Sequence, residues 1–192
     1  MAEPPFPAPG TVATVGAFDG LHRGHWAVLR QVRRRAAERG EPGLVLTFEP
    51  HPLRVLRPEH APRLLTPPRE QREILTLSGI PYAAVLAFTP ALADTPPRTF
   101  VEEILVGRFR LAHLVIGYDH GFGRGRAGDV ELLRRLGTEL GFDVDVVPPV
   151  LLDGEPISSR RIRRLLEEGR VERAAAALGR PYSFEGTVVP GD

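Results

Sequence analysis

Two histidines, His22 and His25, stand three residues apart in the stretch GAFDGLHRGH. Gly20 and Gly24 flank the first of them and allow another backbone or a ligand to approach closely. Imidazoles at this spacing suit metal ligation, acid–base catalysis or the donation of hydrogen bonds to phosphate, and an ordinary polar helix start is the plain alternative. The rest of the chain has to decide between these roles.

The amino-acid composition removes several kinds of chemistry. The 192 residues include no Cys and no Lys. Thiolate nucleophiles, Cys–zinc sites, Schiff-base lysines and the Gly-Lys-Ser/Thr phosphate loop are therefore excluded from these residues. Two histidines without Cys are a weak zinc signal, and no residue is assigned as a metal ligand. A bound phosphate would have to be held by Arg, His, hydroxyls, backbone N–H groups or a metal ion.

The stretch PISSRRIRRLL offers hydroxyls and guanidinium groups at the start of a predicted helix. Helical periodicity places Ser159 and Arg163 together on one flank of the apolar stripe, whereas Arg160 and Arg164 point to solvent. Ser158 is the expected N-cap. A hydroxyl and a planar guanidinium four residues apart suit a polyphosphate, and a solvated basic helix face is the alternative.

Two further stretches favour a ligand pocket. Residues 117–129, GYDHGFGRGRAGD, contain Gly-x-Gly-x-x-Gly, but the match does not follow directly on a strand and lies in the fourth unit. We interpret it as a glycine-rich loop that closes over a nucleotide, or else a flexible surface loop, rather than a dinucleotide fingerprint. In TFEPHP, residues 47–52, two prolines restrict the backbone around His51, which suits either a wall for a flat ligand or a plain turn.

Alternating strands and helices must position these residues. Apolar periodicity predicts strands at 12–18, 43–48, 82–88, 112–117 and 142–147, and helices at 23–39, 69–77, 99–109, 128–140, 159–168 and 171–178. Continuous apolar strands between helices indicate an α/β fold, a Rossmann-like parallel sheet with helices on both faces. Because such sheets bind ligands at the carboxyl ends of their strands, the HRGH stretch and the glycine-rich loop should share one rim.

The remaining composition sets expectations about partners and location. The net charge of +1 favours neither nucleic acid nor a membrane surface, and no apolar run approaches the roughly 20 residues of a membrane helix. The Pro-rich start is not a signal peptide, so a cytoplasmic location is expected. Residues 182–192 alternate like a strand and stop at a Pro-Gly turn signal, which predicts either the start of a second domain or an edge strand.

Five stretches, in order, resemble the adenylyltransferase (FAD synthetase) module of bacterial bifunctional riboflavin kinase/FAD synthetases. They are GAFDGLHRGH, FEPHP, VIGYDHGFGRGRAGD, ISSRRIR and LGRPYSFEGTVVPGD. The HxGH part belongs to the wider nucleotidylyltransferase superfamily and does not select a substrate. The last stretch resembles the junction with the kinase barrel. The resemblance therefore implies an FMN adenylyltransferase domain at 1–180 and the first strand of a riboflavin kinase domain at 181–192.

The resemblance also implies a reaction and a site. The reaction is ATP plus FMN to FAD plus pyrophosphate, with Mg²⁺, by direct attack of the FMN phosphate on the α-phosphorus and no covalent enzyme intermediate. The implied catalytic residues are His22, His25 and Arg163. The implied ATP-binding residues are Gly16, Phe18, Gly24, Asp119, Ser158 and Ser159. The implied flavin-binding residues are Pro50, His51, Pro52 and Phe122.

Two positions depart from the family pattern. Arg160 replaces the third hydroxyl of the family's Ser-Ser-Thr triplet, and His120 replaces an aromatic residue after Asp119. We expect no riboflavin kinase activity from these residues, although a longer parent protein would have it. The alternatives are a same-fold enzyme for another acceptor, such as nicotinamide mononucleotide or phosphopantetheine, and a non-catalytic flavin- or nucleotide-binding module. RNA binding is disfavoured because the Arg clusters lack interleaved aromatics.

Overall fold

The computed structural model describes residues 8–184 and 186–188. At its centre is a five-stranded parallel sheet with the strand order β3-β2-β1-β4-β5. The strands are β1 (Thr11–Val15), β2 (Gly43–Glu49), β3 (Tyr82–Ala87), β4 (Leu111–Gly117) and β5 (Asp143–Val147). Parallel strands need crossover connections, and helices occupy the stretches between them. The predicted α/β class is thereby confirmed.

Each predicted helix has a counterpart close to its predicted position. The helices are α1 (Arg23–Arg39), α2 (Pro52–Leu56), α3 (Pro68–Thr76), α4 (Pro90–Ala93), α5 (Pro97–Thr99), a π-helical segment (Phe100–Arg108), α6 (Val130–Leu140), α7 (Ser159–Glu167) and α8 (Val171–Leu178). Two short helices, α2 and α4, were not predicted. Single 3₁₀ turns lie at Pro58–His60 and Arg124–Arg126. A short antiparallel hairpin, β6 (Leu151–Leu152) with β7 (Glu155–Pro156), precedes α7.

Both faces of the sheet are covered because side chains alternate along each strand. Val12 of β1 packs against Val28 and Val32 of α1 on one face. On the other face, Ala13 joins a larger cluster with Leu105 of the π-helical segment and with residues of α6. Strands buried on two faces read as continuous apolar runs, which is why periodicity predicted them.

The strand order reverses beside β1. The chain proceeds outward from β1 to β2 and β3, and then returns to place β4 on the other side of β1. The carboxyl ends of β1 and β4 therefore form a topological switch point, the usual ligand crevice of an open parallel sheet. The HRGH stretch follows β1 and the glycine-rich loop follows β4, so the predicted common rim is confirmed.

Three predicted elements differ in detail. Strand β1 ends at Val15 rather than residue 18, because positive φ values at Phe18 and Gly20 turn the chain out of the sheet. The helix predicted at 99–109 is mostly π-helical, with the Phe109 N–H donating to the Ile104 carbonyl at 3.1 Å. Between β2 and α3, where periodicity predicted no helix, the Pro-rich segment 50–68 contains short helical turns because proline favours the first helical position.

The predicted strand at 182–192 falls only partly on described residues. Residues 182–184 and 186–188 adopt no strand, and Phe184 is 83% exposed. Residues 185 and 189–192 lie outside the described part, as do residues 1–7. The division into domains at residue 180 therefore stays a prediction. Over the described ranges, no helix combines the length and the apolar character needed to span a membrane.

Candidate active site

A cavity of about 270 Å³ opens at the switch point. The carboxyl ends of β1, β4 and β5 and the amino-terminal ends of α1 and α7 form its walls. Every residue assigned to ATP lines this cavity, together with both histidines: Gly16, Phe18, His22, Gly24, His25, Asp119, Ser158 and Ser159. Residues from three separated stretches of the sequence thus face one space.

The two histidines form a stacked pair at the start of α1. His22 is the N-cap residue, and its Nδ1 accepts a hydrogen bond from the His25 backbone N–H at 3.3 Å. The two rings lie nearly parallel, with centroids 3.7 Å apart, and Phe18 packs edge-on against His25 at 5.2 Å. The cap satisfies one of the free N–H groups of the helix start and holds both imidazoles at the cavity.

Burial keeps both rings neutral. It lowers the pKa of His22 to about 4 and lowers the pKa of His25 well below its usual 6.5, with a further lowering from the neighbouring His22. Because His22 Nδ1 accepts a hydrogen bond, the ring proton of the neutral form lies on Nε2. The N-cap geometry therefore leaves an N–H donor on the far side of the His22 ring.

The start of α7 supplies hydroxyl groups to the same cavity. Ser158 caps α7, with its Oγ accepting from the Arg161 N–H at 3.2 Å. The Ser159 hydroxyl donates to the Asp19 backbone carbonyl at 2.8 Å. Helices α1 and α7 thus both begin at the cavity, and the partial positive charge at each amino-terminal end attracts anions.

Arg163 is not among the residues that line the cavity. Its guanidinium pairs with the buried carboxylate of Asp19, and its Nε donates to the Arg63 carbonyl at 2.7 Å. Ser159 and Arg163 do share one flank of α7, as predicted, and both contact the same residue, Asp19. Arg160 and Arg164 are exposed, also as predicted.

The residues assigned to the flavin lie outside the cavity lining. His51 caps α2, with its Nδ1 accepting from the Leu53 N–H at 3.2 Å, and the flanking Glu49–Pro50 peptide is cis. The His51 pKa is lowered mainly by burial, while the nearby Asp19 opposes this lowering. Phe122 is only 8% exposed and belongs to the main core cluster. A flavin role for Pro50, His51, Pro52 and Phe122 stays a prediction.

The sequence profile of the FAD synthetase family matches residues 7–161. This chain belongs to the FAD synthetase family. A protein named bifunctional riboflavin kinase/FMN adenylyltransferase from Escherichia coli (strain K12) is 37% identical over 186 residues, which cover 97% of this chain and 59% of the relative. The protein of the same name from Pseudomonas fluorescens is 40% identical over 182 residues, covering 95% and 58%. The family implied by the five motifs is therefore confirmed.

One solved structure resembles this chain in both fold and sequence. A protein described as a macrolide-efflux protein from Streptococcus pneumoniae superposes with a TM-score of 0.81 at 28% identity, over 95% of this chain and 61% of its own. The chain spans slightly under three-fifths of the length of these two curated relatives.

Sequence reasoning missed two parts of this candidate site. Asp19, within the FDG of the first motif, was not assigned although it is 4% exposed and joins three segments. The turn after β5 was also missed, although Pro148 and Pro149 line the cavity beside Ile157. Ligands bind at the carboxyl ends of parallel strands, and this rule would have found the turn if it had been applied to the fifth strand. No local sequence signal marks an aspartate that folding will bury.

Proposed function

We propose that this chain transfers the adenylyl group of ATP to FMN and releases pyrophosphate, giving FAD. The observation that carries this proposal is the convergence of two helix amino termini, the histidine pair and the serine pair on one cavity. The names of the family and of its relatives supply the identity of the two substrates. The cavity chemistry suits a polyphosphate, and the FEPHP turn supports the choice of flavin as acceptor.

The reaction requires little covalent chemistry from the protein. An oxygen of the FMN phosphate forms a new bond to the α-phosphorus, and the bond from that phosphorus to the bridging oxygen of the β-phosphate breaks. Pyrophosphate leaves with the electron pair. Positioning and stabilisation of the spreading negative charge account for most of the catalysis in such transfers.

The residues of the cavity can supply those interactions. The His22 Nε2–H and the His25 ring would donate to oxygens on the α- and β-phosphates, in a site where burial strengthens each interaction. Among the described contacts, the Ser158 Oγ only accepts the Arg161 N–H, so its own proton is available to donate. Ser158 and Ser159 would face the β- and γ-phosphates. These assignments, and that of Arg163 to the same phosphates, are predictions from the motifs.

Magnesium would arrive with ATP rather than on a protein cage. Over residues 8–184 and 186–188, no group of three or more His, Asp or Glu side chains could hold a metal ion by itself. Mg²⁺ commonly uses one or two carboxylates with water and substrate phosphates. Asp119 carries a carboxylate in the cavity lining and fits that requirement. When bound, the ion would neutralise phosphate charge, and Asp119 would hold it.

The cytoplasmic location expected from the sequence also stays a prediction.

Incubation with ATP, FMN and Mg²⁺, followed by chromatography for FAD, tests the proposal. We expect equal amounts of FAD and pyrophosphate, and neither product when Mg²⁺ is removed with a chelator. Nicotinamide mononucleotide and phosphopantetheine serve as competing acceptors, and riboflavin with ATP checks the predicted lack of kinase activity. Pyrophosphate release with another acceptor but not with FMN would overturn the assignment.

A further inference from the structure

The loop between β1 and α1 has an unusual backbone conformation. Phe18, Gly20 and Leu21 have φ values of 49°, 83° and 41°, all in the left-handed region. Positive φ is uncommon for residues other than glycine, and it persists where the surrounding structure holds the chain in place. His22 follows directly and caps α1. The position of the histidine pair therefore depends on the contacts that restrain this loop.

The carboxyl-terminal end of α8 supplies two of these contacts. Arg180, which follows α8, donates from Nη1 to the Gly20 carbonyl at 2.9 Å. Arg23, the first residue of α1, donates from Nη1 to the Ala176 carbonyl of α8 at 3.4 Å. The two hydrogen bonds run in opposite directions between the same two segments. They fasten the loop to α8 on both sides of His22.

The same segments also pack closely. A Cβ added to Gly179, the C-cap of α8, would lie 3.2 Å from the Arg23 Cγ. A Cβ added to Gly20 would lie 2.8 Å from Leu65 Cδ1 and 3.5 Å from Leu178 Cδ2. Leu178 is 1% exposed and belongs to the core cluster that α7 and α8 share. The loop and the end of α8 are therefore in direct contact, in addition to their two hydrogen bonds.

Arg180 is itself held in place by α3. Burial lowers the pKa of Arg180, and the Glu70 carboxylate of α3 opposes this lowering. The same carboxylate accepts the Ser183 hydroxyl at 2.9 Å. A hydrogen bond from a charged guanidinium is stronger than one from a neutral donor, and partial shielding from water strengthens it further. Glu70 thus keeps the segment after α8 where Arg180 can reach the Gly20 carbonyl.

We infer that Arg180 is a positioning residue for the histidine pair. Its hydrogen bond to the Gly20 carbonyl holds the loop after β1, and that loop determines where His22 and His25 meet the phosphates of ATP. Arg180 is not among the residues that line the cavity, so it acts through the loop. This inference rests on the proposed function, because it assumes that the two histidines contact the reacting phosphates.

Arg180→Met tests this role, because methionine keeps an apolar side chain but cannot donate to Gly20. We expect kcat for FAD formation to fall by about tenfold or more, as expected when groups that contact the reacting atoms are misplaced. Arg173→Met is the matched control, since Arg173 lies in α8 and pairs with Asp153 at 3.6 Å on an exposed surface; it should keep the wild-type kcat. A folded Arg180→Met variant with wild-type kcat would overturn the inference.

A double-mutant cycle with His25→Ala separates positioning from a general loss of stability. If Arg180 acts through the histidine pair, Arg180→Met lowers kcat strongly in the wild-type background and much less in the His25→Ala background. Single-turnover FAD formation measures both. Equal fold losses in the two backgrounds would show that the effect does not pass through the pair, and would contradict the inference.

The ring carbon–proton NMR signals of the histidines provide a measurement that requires no turnover. In the free chain, we expect the His22 and His25 signals to move in Arg180→Met and to stay in place in Arg173→Met. Unchanged His22 and His25 signals in Arg180→Met would overturn the inference. A wild-type chain that makes no FAD refutes the FMN assignment, while the NMR comparison still decides whether Arg180 positions the histidines.

Thermal unfolding checks the folding of each variant. If Arg180→Met does not fold, Arg180→Lys replaces it in all three measurements, because lysine keeps the charge near Glu70 but lacks the planar donor group of arginine. We then expect a smaller loss of kcat and smaller movements of the His22 and His25 signals. A wild-type kcat together with unchanged ring signals in Arg180→Lys would contradict the positioning role.

Discussion

At the scale of single residues, the histidine pair is organised by a helix cap. His22 uses Nδ1 to cap α1, which leaves its Nε2–H for a ligand, and His25 stacks on the same ring at 3.7 Å. Two neutral imidazoles can be stacked this closely because neither carries a charge at neutral pH. A triphosphate entering the cavity would supply the negative charge that favours their protonation.

His25→Ala should remove one of the groups that stabilise charge during adenylyl transfer. We expect kcat to fall on the order of 10²-fold or more, as is typical for loss of one preorganised donor. Folding should be preserved, because the His25 Nδ1 makes no hydrogen bond in the described structure, so its removal leaves no protein group without its partner. Steady-state FAD formation and thermal unfolding measure the two effects. A folded variant with wild-type kcat would favour a non-catalytic binding module.

His22 should make stability depend on pH. Its pKa of about 4 in the folded chain lies below the ordinary value of 6.5, so the unfolded chain binds the proton first as pH falls. The free energy of unfolding should therefore decrease between pH 6.5 and pH 4, with about 3 kcal/mol attributable to His22. Asparagine retains the N-cap, so His22→Asn should show a shallower decrease in urea unfolding across this range. Equal slopes would contradict the neutral, buried state of His22.

At the scale of elements, the two ends of the glycine-rich loop are joined by an antiparallel bridge between Phe122 and Gly128. Phe122 and Gly128 exchange two backbone hydrogen bonds, at 3.1 and 3.0 Å, and the Phe122 ring packs over Gly128. A Cβ added to Gly128 would lie 2.5 Å from that ring. The loop therefore requires glycine at this position, and its shape places His120 at the cavity and Phe122 in the core.

Gly128→Ala should force Phe122 and the loop to move. Overpacking of this kind costs about 1–3 kcal/mol of stability. If Phe122 borders the flavin as predicted, the KM for FMN should rise more than the KM for ATP. Gly186→Ala is the control, since its added Cβ meets none of the described atoms within 4 Å. Two unchanged KM values in a destabilised Gly128→Ala variant would exclude the loop from the acceptor site.

At the scale of the whole molecule, a polar cluster fastens α1 to the far edge of the sheet. The Asp145 carboxylate of β5 accepts hydrogen bonds from Gln31 and from Arg35 Nε, both at 2.6 Å. His113 of β4 lies beside it, with its Nε2 3.4 Å from the carboxylate. The cluster joins the helix that carries the histidine pair to two strands on the opposite side of the switch point.

Asp145→Asn should weaken this attachment without touching the cavity. The Arg35 hydrogen bond lowers the pKa of Asp145 to about 2, so its contribution is present above the unfolded value of 3.8 and is lost as pH falls towards 2. We expect the free energy of unfolding at pH 7 to decrease by about 1–2 kcal/mol, allowing for partial solvent screening. The difference from the wild type should shrink below pH 4, and FAD formation at 25 °C should be unchanged.

Glu131→Gln is the matched control for Asp145→Asn, because Glu131 pairs with Arg135 at 3.3 Å on an exposed helix surface. Such pairs contribute little, so we expect a change below about 1 kcal/mol. Equal losses in the two variants, measured by urea unfolding at pH 7, would show that the Asp145 cluster does not fasten α1.

The amino-acid sequence by itself determined the local elements and the available chemistry. The bounds of α1 and α8 agree with those predicted, because helical periodicity depends only on residues that are close together in the sequence. The absence of Cys and Lys left His, Arg, hydroxyls and backbone N–H groups as possible phosphate ligands, and the resemblance carried by the five motifs indicated the family. The rule that ligands bind at the carboxyl ends of parallel strands then placed the HRGH stretch and the glycine-rich loop on one rim.

Only the tertiary structure decided which motif residues face the cavity and which face each other. Arg163 and Asp19 are 144 positions apart, and nothing near either residue predicts their contact. Phe122 likewise packs into the core because of distant neighbours such as Phe100. Burial and charge pairing depend on atoms that folding brings together from remote segments, and periodicity carries no information about them.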